Sequence, residues 1–494
     1  MLSFSLDDSD CPNPLLHHAR TRPDDLAIVL ADRTVTWNQL AMDVVRAIRN
    51  LKRNHLKVGD RLMLSAGPSY DYLVALLAAF NAGITACPVN PKLPSVAFSR
   101  AMKLVDPGMV LTRSQLGSIH DPNPSGVRAQ PCLDELPDRW ELKEEATVVF
   151  TSGSAAKPKA ALHLLQNHVT SAWGANQAMP FVPGDRWLLS LPLYHVGGLA
   201  ILFRCIMSGA TLVLPDEAGL SISRPRQDLA QLIRQEHLSH LSLVPTQLFR
   251  LLQCRHLKSA VRSLKVVLVG GAPTSIEMLR QAQEAGIPVY PTYGCTEASS
   301  QIATARPPLG ERDKLPQMKI LPGREVTLAE NGEIFVRGPV VFAGYLQPDR
   351  LVKDMRDSDG WYHTGDLGRL SSKGLLSIAG RVDHMFISGG ENIQPAEIEQ
   401  AICQLPGITD AVVVPVHDDE WGERPFAFVS IAPERQSLLD ADIPDESWFN
   451  AVLTHVLPRY KMPVGYAPLP ELENGHLKPS RHQLIELAGT YYQS

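Results

Sequence analysis

The sequence predicts an α/β protein: a large N-terminal domain of layered, mostly parallel α/β subdomains plus a small β-subdomain, followed by a small mobile α+β C-terminal domain. Short apolar runs alternate with helical patterns up to about Lys319, as they do in parallel sheets with crossover helices. An Asn331-Gly332 turn between two alternating segments then indicates antiparallel strands. Arg381-Val382-Asp383 is the natural boundary before the last segment, so we expect domains of residues 1–382 and 383–494.

The N-terminal segment shows the clearest alternation of strands and helices. Its strand signals are short and apolar or β-branched, and one helix is apolar on nearly every face, as a helix inside an α/β layer would be. Parallel strands in such units are joined by right-handed crossovers. The predicted elements are strands at 26–30, 34–37, 61–64 and 85–89, helices from about Asn38 and at 70–82, and later antiparallel strands at 325–328 and 332–338.

Length and charge limit the classes of function. With 494 residues, 44% of them hydrophobic, the chain is too long for one ordinary domain and can bury a sizeable core. The formal net charge of −5 argues against a surface that binds polyanions. We therefore expect two or more domains and no nucleic-acid partner.

Targeting and cysteine patterns point to the cytosol. The N-terminus, MLSFSLDDSD, is acidic where a secretory signal would be basic, and it lacks a continuous apolar core. The most apolar region, 188–215, is interrupted by His195, Arg204 and several glycines, which fits buried strands and a helix better than a membrane span. The seven cysteines form no C-x-x-C pair, which argues against a zinc site or a disulfide framework. We expect a cytoplasmic protein without membrane insertion.

A hydroxyl-rich loop between two apolar runs is the first candidate site. The stretch 147–163 reads TVVFTSGSAAKPKAALH, and a strand signal precedes Thr151-Ser152-Gly153-Ser154, whose hydroxyls and N–H groups can converge on an anion. Lys157 and Lys159 add positive charge. A surface turn with two solvated lysines is the alternative interpretation. A Walker-type loop fits poorly, because Lys159 is followed by Ala160 rather than by a hydroxyl that could hold magnesium.

Two glycine-containing segments in the middle of the chain could form pocket walls. The run LPLYHVGGL places His195 before Gly197-Gly198, where it could line a pocket, although a lone histidine in apolar surroundings is more often structural. The strand signal at 266–269 leads into Gly270-Gly271-Ala272-Pro273. The lack of side chains in this tight turn would let a flat ring lie against the backbone.

Carboxylates follow two later strand signals. The segment 289–299, VYPTYGCTEAS, ends in a polar loop with Thr292, Thr296 and Glu297, and a hard cation would suit that carboxylate. Asp366 stands between glycines in WYHTGDLG, where it could bond a pair of vicinal hydroxyls. The alternative is a turn aspartate that caps its own backbone.

The C-terminal segment carries a glycine turn and a late lysine. The stretch 393–402 predicts an amphipathic helix with Pro395 at its start, preceded by the turn Ser388-Gly389-Gly390. Lys478 follows a turn at Asn474-Gly475. Considered alone, a lysine near a C-terminus is usually solvated.

Together these motifs resemble one family, the adenylate-forming enzymes, which comprises acyl-CoA synthetases, luciferases and the adenylation domains of peptide synthetases. The resemblance covers nearly the whole chain, and the motifs occur in the family's order: TSGSAAKPKA, LPLYHVGG, GGAP, YGCTE, WYHTGDLG, GRVDHMFISGGENI and NGHLKPSR. Within the family, HVGGLAILFRC, SLVPTQLFRLL and NGHLKPSR look most like the o-succinylbenzoate–CoA ligases of menaquinone or phylloquinone biosynthesis.

The resemblance implies a two-step reaction that uses ATP, Mg²⁺ and coenzyme A. A carboxylate attacks the α-phosphorus of ATP to give an acyl-adenylate, and the thiol of coenzyme A then displaces AMP. Lys478 would bridge the carboxylate and the α-phosphate, and rotation of the small domain about Asp383 would withdraw it. The other implied roles are phosphate binding by Thr151, Ser152, Gly153, Ser154 and Lys159, adenine binding by Gly271, Ala272 and Pro273, further nucleotide contacts by Thr292, Tyr293, Gly294 and Thr296, ribose binding by Asp366 with Arg381, Mg²⁺ binding and catalysis by Glu297, catalysis by His195, and coenzyme A binding by Ser388, Gly389 and Gly390.

The expected substrate, a small aromatic acid, carries a second carboxylate that does not react. A buried carboxylate needs a partner, and Arg204 in the apolar run LAILFRC is costly to bury unless it meets an anion. His195 and Gly197-Gly198 would line the same pocket. The alternatives are that Arg204 faces solvent or pairs with Asp216 or Glu217.

The phosphate loop departs from the family pattern, and other functions therefore stay open. Ala155-Ala156 and Ala160 replace a hydroxyl and glycines that the family usually has, so the loop should be stiffer. An inactive relative would bind ATP without exchanging pyrophosphate into it. A peptide-synthetase-type domain would normally place an acid near the substrate's ammonium and be followed by a carrier domain. Another aryl- or acyl-CoA synthetase is the remaining alternative, and a homo-oligomer is compatible with the sequence.

Overall fold

A computed structural model describes most of the chain. The described residues are 5–6, 8–120, 130–151, 159–179, 181–215, 229–254, 257–309, 316–388, 391–418, 421–431, 446–470 and 481–493. They form an α/β protein with a large N-terminal domain and a small C-terminal domain, as the sequence predicts.

The largest sheet of the described residues has 13 strands and changes direction across its width. Neighbouring strands run parallel from Leu26–Val29 to Val289–Tyr293 and antiparallel beyond Val289–Tyr293. In sheet order the strands are Glu325–Leu328, Glu333–Arg337, Tyr362–Leu370, Leu375–Arg381, Met318–Ile320, Ala303–Thr304, Val289–Tyr293, Val266–Val269, His240–Leu243, Arg186–Leu188, Thr211–Val213, Leu26–Val29 and Thr34–Thr36. The predicted antiparallel β-subdomain thus continues the parallel sheet.

A second sheet, of 7 strands, contains the hairpin on either side of the predicted phosphate loop. Glu145–Thr151 lies parallel to Thr85–Pro88 and antiparallel to Lys159–Leu164. Thr151 pairs with Lys159, so the strand that follows the loop returns beside the strand that precedes it. In sheet order the strands are Val352–Lys353, Gly344–Leu346, Lys159–Leu164, Glu145–Thr151, Thr85–Pro88, Arg61–Ser65 and Met109–Thr112.

Helices pack against these sheets and bury their apolar faces. Thr36 and Gln39 form a capping box at the start of Trp37–Arg53, and Ser69 caps Tyr70–Asn81, which is buried along its whole length except Asp71. This burial fits its lack of a polar face. The helices of the large domain are Pro14–Thr21, Trp37–Arg53, Tyr70–Asn81, Ser95–Val105, Arg113–Leu116, Leu165–Ala178, Val196–Ser208, Leu229–Gln235, Pro245–Leu252, Leu257–Ala260 and Ile276–Glu284.

The small domain has a sheet and an apolar core of its own. Its strands are Glu391–Ile393, Phe386–Ser388, Gly422–Ile431, Ile408–Asp418 and Tyr466–Pro468, and its helices are Pro395–Cys403, Glu446–Leu453 and Arg481–Gln493. Ile398, Ile402 and Phe449 from two of the helices join Val413 and Val429 in the core. A single 3₁₀ turn, Val382–His384, lies between the strand Leu375–Arg381 and this sheet, at the predicted boundary.

The cysteines and the apolar stretch of the sequence have these places in the structure. All seven cysteines are free. Among the described residues, no helix is both long and apolar enough to cross a membrane. The apolar stretch 188–215 instead contributes the end of Arg186–Leu188, the helix Val196–Ser208 and the strand Thr211–Val213.

Candidate active site

The predicted site residues divide into those that the structure describes and those that it does not. Six of them lie outside the described residues: Ser152, Gly153, Ser154, Gly389, Gly390 and Lys478. The remaining residues lie mainly at the carboxyl ends of parallel strands and on the antiparallel strands beside them. Carboxyl ends of parallel strands are where open α/β sheets bind ligands.

The glycine turn predicted to receive adenine lies against the next parallel strand. The strand Val266–Val269 pairs with Val289–Tyr293, and the turn follows it directly. Gly271 has a φ of +79°, a left-handed conformation that glycine adopts without strain. A Cβ on Gly270 would come within 2.6 Å of Cγ2 of Thr292, so the turn can approach that strand only because residue 270 is glycine. Two of the predicted motifs are therefore in contact.

Asp366 lies at the centre of a hydrogen-bonded group. It is part of the strand Tyr362–Leu370 and its carboxylate accepts from other residues, so the alternative of a turn aspartate that caps its own backbone is wrong. The hydroxyl of Tyr293 donates to its Oδ2 over 2.7 Å, and Nη1 of Arg381 donates to its Oδ1 over 2.6 Å. Burial raises the pKa of Asp366, and Arg381 opposes that rise. The carboxylate oxygens keep lone pairs for two further hydroxyls.

Arg381 also contacts the predicted hinge residue. Its Nε donates to Oδ1 of Asp383 over 2.7 Å, and its Nη2 donates to Oδ2 over 3.2 Å. One guanidinium therefore joins the predicted ribose-binding carboxylate, Asp366, to the carboxylate at the domain boundary.

The turn that carries Glu297 is closely packed and held by backbone hydrogen bonds. A Cβ on Gly294 would lie 1.5 Å from the carbonyl oxygen of Ser300, so only glycine fits there. The N–H of Ser300 donates to the carbonyl of Cys295 over 3.1 Å, and the N–H of Phe342 donates to the carbonyl of Glu297 over 2.8 Å. This close packing explains the glycine in YGCTE.

Two side chains from the region after the phosphate loop fix the same turn. Nε2 of His163 lies 2.7 Å from the carbonyl oxygen of Thr296 and donates to it, and Oγ of Ser171 donates to the carbonyl of Ser299 over 2.6 Å. Both side chains are buried, and burial lowers the pKa of His163. A neutral imidazole can still donate one hydrogen bond. Sequence reasoning missed both residues, because nothing in their local pattern distinguishes them from core residues.

Glu297 offers a single carboxylate, and its chemistry fits Mg²⁺ bound together with phosphate. Oε1 of Glu297 accepts a hydrogen bond of 2.5 Å from the hydroxyl of Tyr345. Among the described residues no group of three His, Cys, Asp or Glu side chains could hold a metal by itself. Mg²⁺ is commonly held by one or two carboxylates together with substrate phosphates and water, so one carboxylate suffices.

Arg204 is buried and reaches Thr292, a predicted nucleotide contact, through the amide of Gln301. Its side chain is 2% exposed, which excludes the alternative that it faces solvent, and burial lowers its pKa to about 10. Nη2 donates to Oε1 of Gln301 over 2.5 Å, and Nε2 of Gln301 donates to Oγ1 of Thr292 over 3.0 Å. Asp216 and Glu217 lie outside the described residues. Sequence reasoning missed Gln301, which follows the YGCTE motif without any signal of its own.

His195 lies at the start of the helix Val196–Ser208, the helix that also carries Arg204. Burial lowers the pKa of its imidazole to about 4, so it is neutral near pH 7. Its ring packs against Tyr194, with 4.7 Å between centroids, and no described residue hydrogen-bonds to it. A Cβ on Gly198 would lie 2.2 Å from the carbonyl oxygen of Pro192, so this glycine lets the helix begin against the preceding segment.

The sequence matches one family over both domains. Residues 15–346 match the AMP-binding enzyme family, and residues 397–474 match the AMP-binding enzyme C-terminal domain. The chain belongs to the AMP-binding enzyme family. The family resemblance of the sequence motifs is therefore confirmed.

Several relatives of this AMP-binding enzyme match nearly its full length. A 2-succinylbenzoate–CoA ligase of Escherichia coli is 35% identical over 484 residues, which cover 96% of this chain and 97% of that protein. The structure of the o-succinylbenzoate CoA synthetase from Bacillus subtilis in complex with its acyl-adenylate intermediate has a TM-score of 0.82 at 27% identity, covering 97% of this chain and 98% of that one. The same synthetase in complex with ATP and magnesium ion has a TM-score of 0.81 at 27% identity, covering 96% and 99%.

The departure from the family's phosphate-loop pattern is accommodated at the position that the structure describes. Ala160 lies in the strand Lys159–Leu164, opposite Phe150, and is 1% exposed. A paired strand residue has an extended backbone that alanine adopts freely. Glycine is therefore not required at this position. Ala155 and Ala156 lie outside the described residues.

Proposed function

We propose that this AMP-binding enzyme activates o-succinylbenzoate with ATP and transfers the acyl group to coenzyme A, a step of menaquinone biosynthesis. The observation that carries the substrate assignment is Arg204, a buried guanidinium connected through Gln301 to the strand of the nucleotide motif. Relatives that are named for this reaction match the chain along almost its whole length. A buried guanidinium in an otherwise apolar helix suits a second, unreacting carboxylate.

In the first half-reaction the protein supplies positions and charges for two substrates. Asp366 takes the ribose hydroxyls, while Tyr293 and Arg381 fix the orientation of its carboxylate. Thr151 and Lys159, at facing positions of one hairpin, hold the ends of the loop that binds the phosphates. When bound to Glu297, Mg²⁺ neutralises charge on the phosphates. Such fixed groups stabilise the charge that develops as the carboxylate attacks the α-phosphorus.

For the second half-reaction we propose that the small domain, residues 383–494, reorients about Asp383. Lys478 then leaves the reacting groups, and the segment from Ser388 to Gly390 faces the pantetheine chain of coenzyme A. The side chain of Ser388 is fully buried in the present conformation, and its Oγ has no partner among the described residues. A buried hydroxyl without a partner costs free energy, which favours a second arrangement in which it is bonded.

Pyrophosphate exchange with a small set of acids tests the function. The purified enzyme is supplied with ATP, Mg²⁺ and labelled pyrophosphate, and incorporation of label into ATP is measured with o-succinylbenzoate, 4-phenyl-4-oxobutanoate or benzoate. The last two acids lack the second carboxylate. We expect exchange with o-succinylbenzoate only, followed by thioester formation when coenzyme A is added.

Each other outcome supports a different function. Efficient exchange with 4-phenyl-4-oxobutanoate would favour a general aryl- or acyl-CoA synthetase. Exchange with an amino acid and no thioester would favour an adenylation domain of the peptide-synthetase type. Binding of ATP without exchange for any acid would identify an inactive nucleotide-binding relative.

A further inference from the structure

Tyr345 lies between two predicted ligand-binding residues that belong to different motifs. It is part of the strand Gly344–Leu346, which pairs with Lys159–Leu164, and its side chain is 7% exposed. Its hydroxyl donates to Oε1 of Glu297 over 2.5 Å. Nζ of Lys159 lies over its ring, 5.0 Å from the centroid. The phenol of Tyr345 therefore contacts the predicted metal ligand, Glu297, through its hydroxyl and the predicted phosphate-binding residue, Lys159, through the face of its ring.

The two residues on either side of this phenol have opposite charges. In the described part of the chain Lys159 and Glu297 form no ion pair, although both contact the same side chain. A direct ion pair would occupy the lysine's donors and the carboxylate's acceptors. Lys159 is exposed, and the contact of an exposed ammonium with a ring face is weak, so a phosphate can displace it. A single hydrogen bond to Glu297 leaves lone pairs for a metal.

We propose that Tyr345 is a positioning residue that keeps Lys159 and Glu297 apart and orients Glu297 for the metal of Mg·ATP. This inference rests on the proposed adenylation chemistry, since it assigns Tyr345 a part in binding the nucleotide. The phenol acts through Lys159 and Glu297 and touches no reacting atom.

A packing role explains the ring of Tyr345 but not its hydroxyl. The ring lies edge-on to Phe342, with 5.0 Å between centroids, and phenylalanine would make the same contact. Burial and the nearby charge of Glu297 raise the pKa of Tyr345 far above neutral pH, so the hydroxyl stays protonated and remains a donor. A carboxylate that accepts a hydrogen bond from a neutral donor is fixed in direction without losing its charge.

The chain contains a matched control elsewhere in the large domain. Tyr70 is 6% exposed, its hydroxyl donates to Oδ2 of Asp43 over 2.6 Å, and the guanidinium of Arg33 lies over its ring at 5.1 Å. Tyr70→Phe thus removes the same kind of hydrogen bond from the same kind of surroundings without affecting Lys159 or Glu297.

The test measures equilibrium binding of α,β-methylene-ATP, which cannot be adenylated, with and without Mg²⁺. In the wild type and in Tyr70→Phe we expect Mg²⁺ to tighten binding equally. In Tyr345→Phe the factor by which Mg²⁺ tightens binding should be about tenfold smaller, because a hydrogen bond to a charged group is removed. The affinity of this variant for the analogue without Mg²⁺ should equal that of the wild type. Equal affinities of wild type and Tyr345→Phe, or an equal loss with and without metal, would overturn the proposal.

A second variant tests the separation of charges. Tyr345→Leu removes the ring, so Lys159 and Glu297 can pair, and metal-free binding of the analogue should weaken as well. Adding Glu297→Gln to Tyr345→Leu should restore metal-free binding, because the lysine loses its competing partner. Failure to restore it would refute the separation role. These measurements need no acid substrate, so a wild type that binds Mg·ATP but rejects o-succinylbenzoate would contradict the proposed function and leave this inference standing.

Discussion

Replacement of Arg204 by methionine should impair activity without a marked loss of stability. Methionine keeps an apolar stem against Trp187, whose ring lies 5.3 Å from the guanidinium carbon, and removes the charge. Nε of Arg204 has no partner among the described residues, and no described carboxylate pairs with the guanidinium. Replacing buried charges by apolar groups is neutral or stabilising by about 1–4 kcal/mol, and leaving Gln301 unpaired costs about 1 kcal/mol. The free energy of unfolding of Arg204→Met should therefore change by about −1 to +3 kcal/mol, without the marked loss expected for a structural arginine.

The same substitution should strongly impair use of o-succinylbenzoate. Removing one partner of a buried charge pair costs about 2–5 kcal/mol, which corresponds to a fall of roughly 30- to 5,000-fold in kcat/KM. The KM for ATP should change little, because Arg204 contacts the nucleotide motif only through Gln301. Urea unfolding of the unliganded protein and pyrophosphate exchange at varied acid and varied ATP measure these effects.

Arg61→Met is the matched control. Arg61 is also 2% exposed, but its Nη1 donates to the carbonyl of Val105 over 3.1 Å and its Nη2 lies 3.6 Å from Glu145. This variant should be destabilised and should keep the wild-type kcat/KM. A marked loss of stability in Arg204→Met, with equal losses toward acid and ATP, would show that Arg204 is a structural residue and refute the reasoning.

Three further predictions concern the catalytic cycle and acid sensitivity. Lys478→Ala should lose adenylation by orders of magnitude while still converting a synthetic acyl-adenylate to the thioester, and equal losses in the two assays would exclude the proposed role. Asp383→Pro fixes φ near −65° and should slow one half-reaction much more than the other; Asp383→Ala, which removes only the carboxylate, separates the backbone effect from loss of the Arg381 contact. Burial lowers the pKa of His18 to about 3 and that of His195 to about 4. Since unfolded histidine has a pKa of about 6.5, the stability linked to these groups should be complete above that pH and be lost as the pH falls toward 4 and 3. Urea unfolding midpoints of the wild type and of His18→Gln, measured at neutral and acidic pH, test this. The same pH dependence in both proteins would contradict the prediction.

Local sequence patterns predicted the strands and helices whose buried faces follow a regular period. The strands Val266–Val269 and Glu325–Leu328 begin and end where the sequence indicates, because apolar runs and alternation report directly on which faces are buried. The helix predicted at 70–82 is Tyr70–Asn81 for the same reason. The sequence could not show that the antiparallel strands extend the parallel sheet. That arrangement depends on the pairing of Ala303–Thr304 with Val289–Tyr293, which no local signal encodes.

The candidate site could be predicted only where a motif marks it. Asp366, Arg381 and Glu297 stand in recognisable runs, and the structure gives the first two a shared hydrogen bond. Tyr345 lies 48 positions from Glu297, and His163 lies 133 positions from Thr296. Contacts of this range depend on the whole topology, and a buried tyrosine or histidine is more often a core residue. The supporting residues of the site were therefore found only in the folded chain.

The hairpin that pairs Thr151 with Lys159 suggests that the predicted phosphate loop can be exchanged as a unit. The two residues that flank the loop are paired with each other across the strands Glu145–Thr151 and Lys159–Leu164, so we expect that residues 152–158 can be replaced by another loop of equal length while this pairing is kept. A loop with threonine and glycine in place of Ala155 and Ala156 can be grafted in this way. The loops of different enzymes could then be compared on one scaffold by measuring the turnover of each graft.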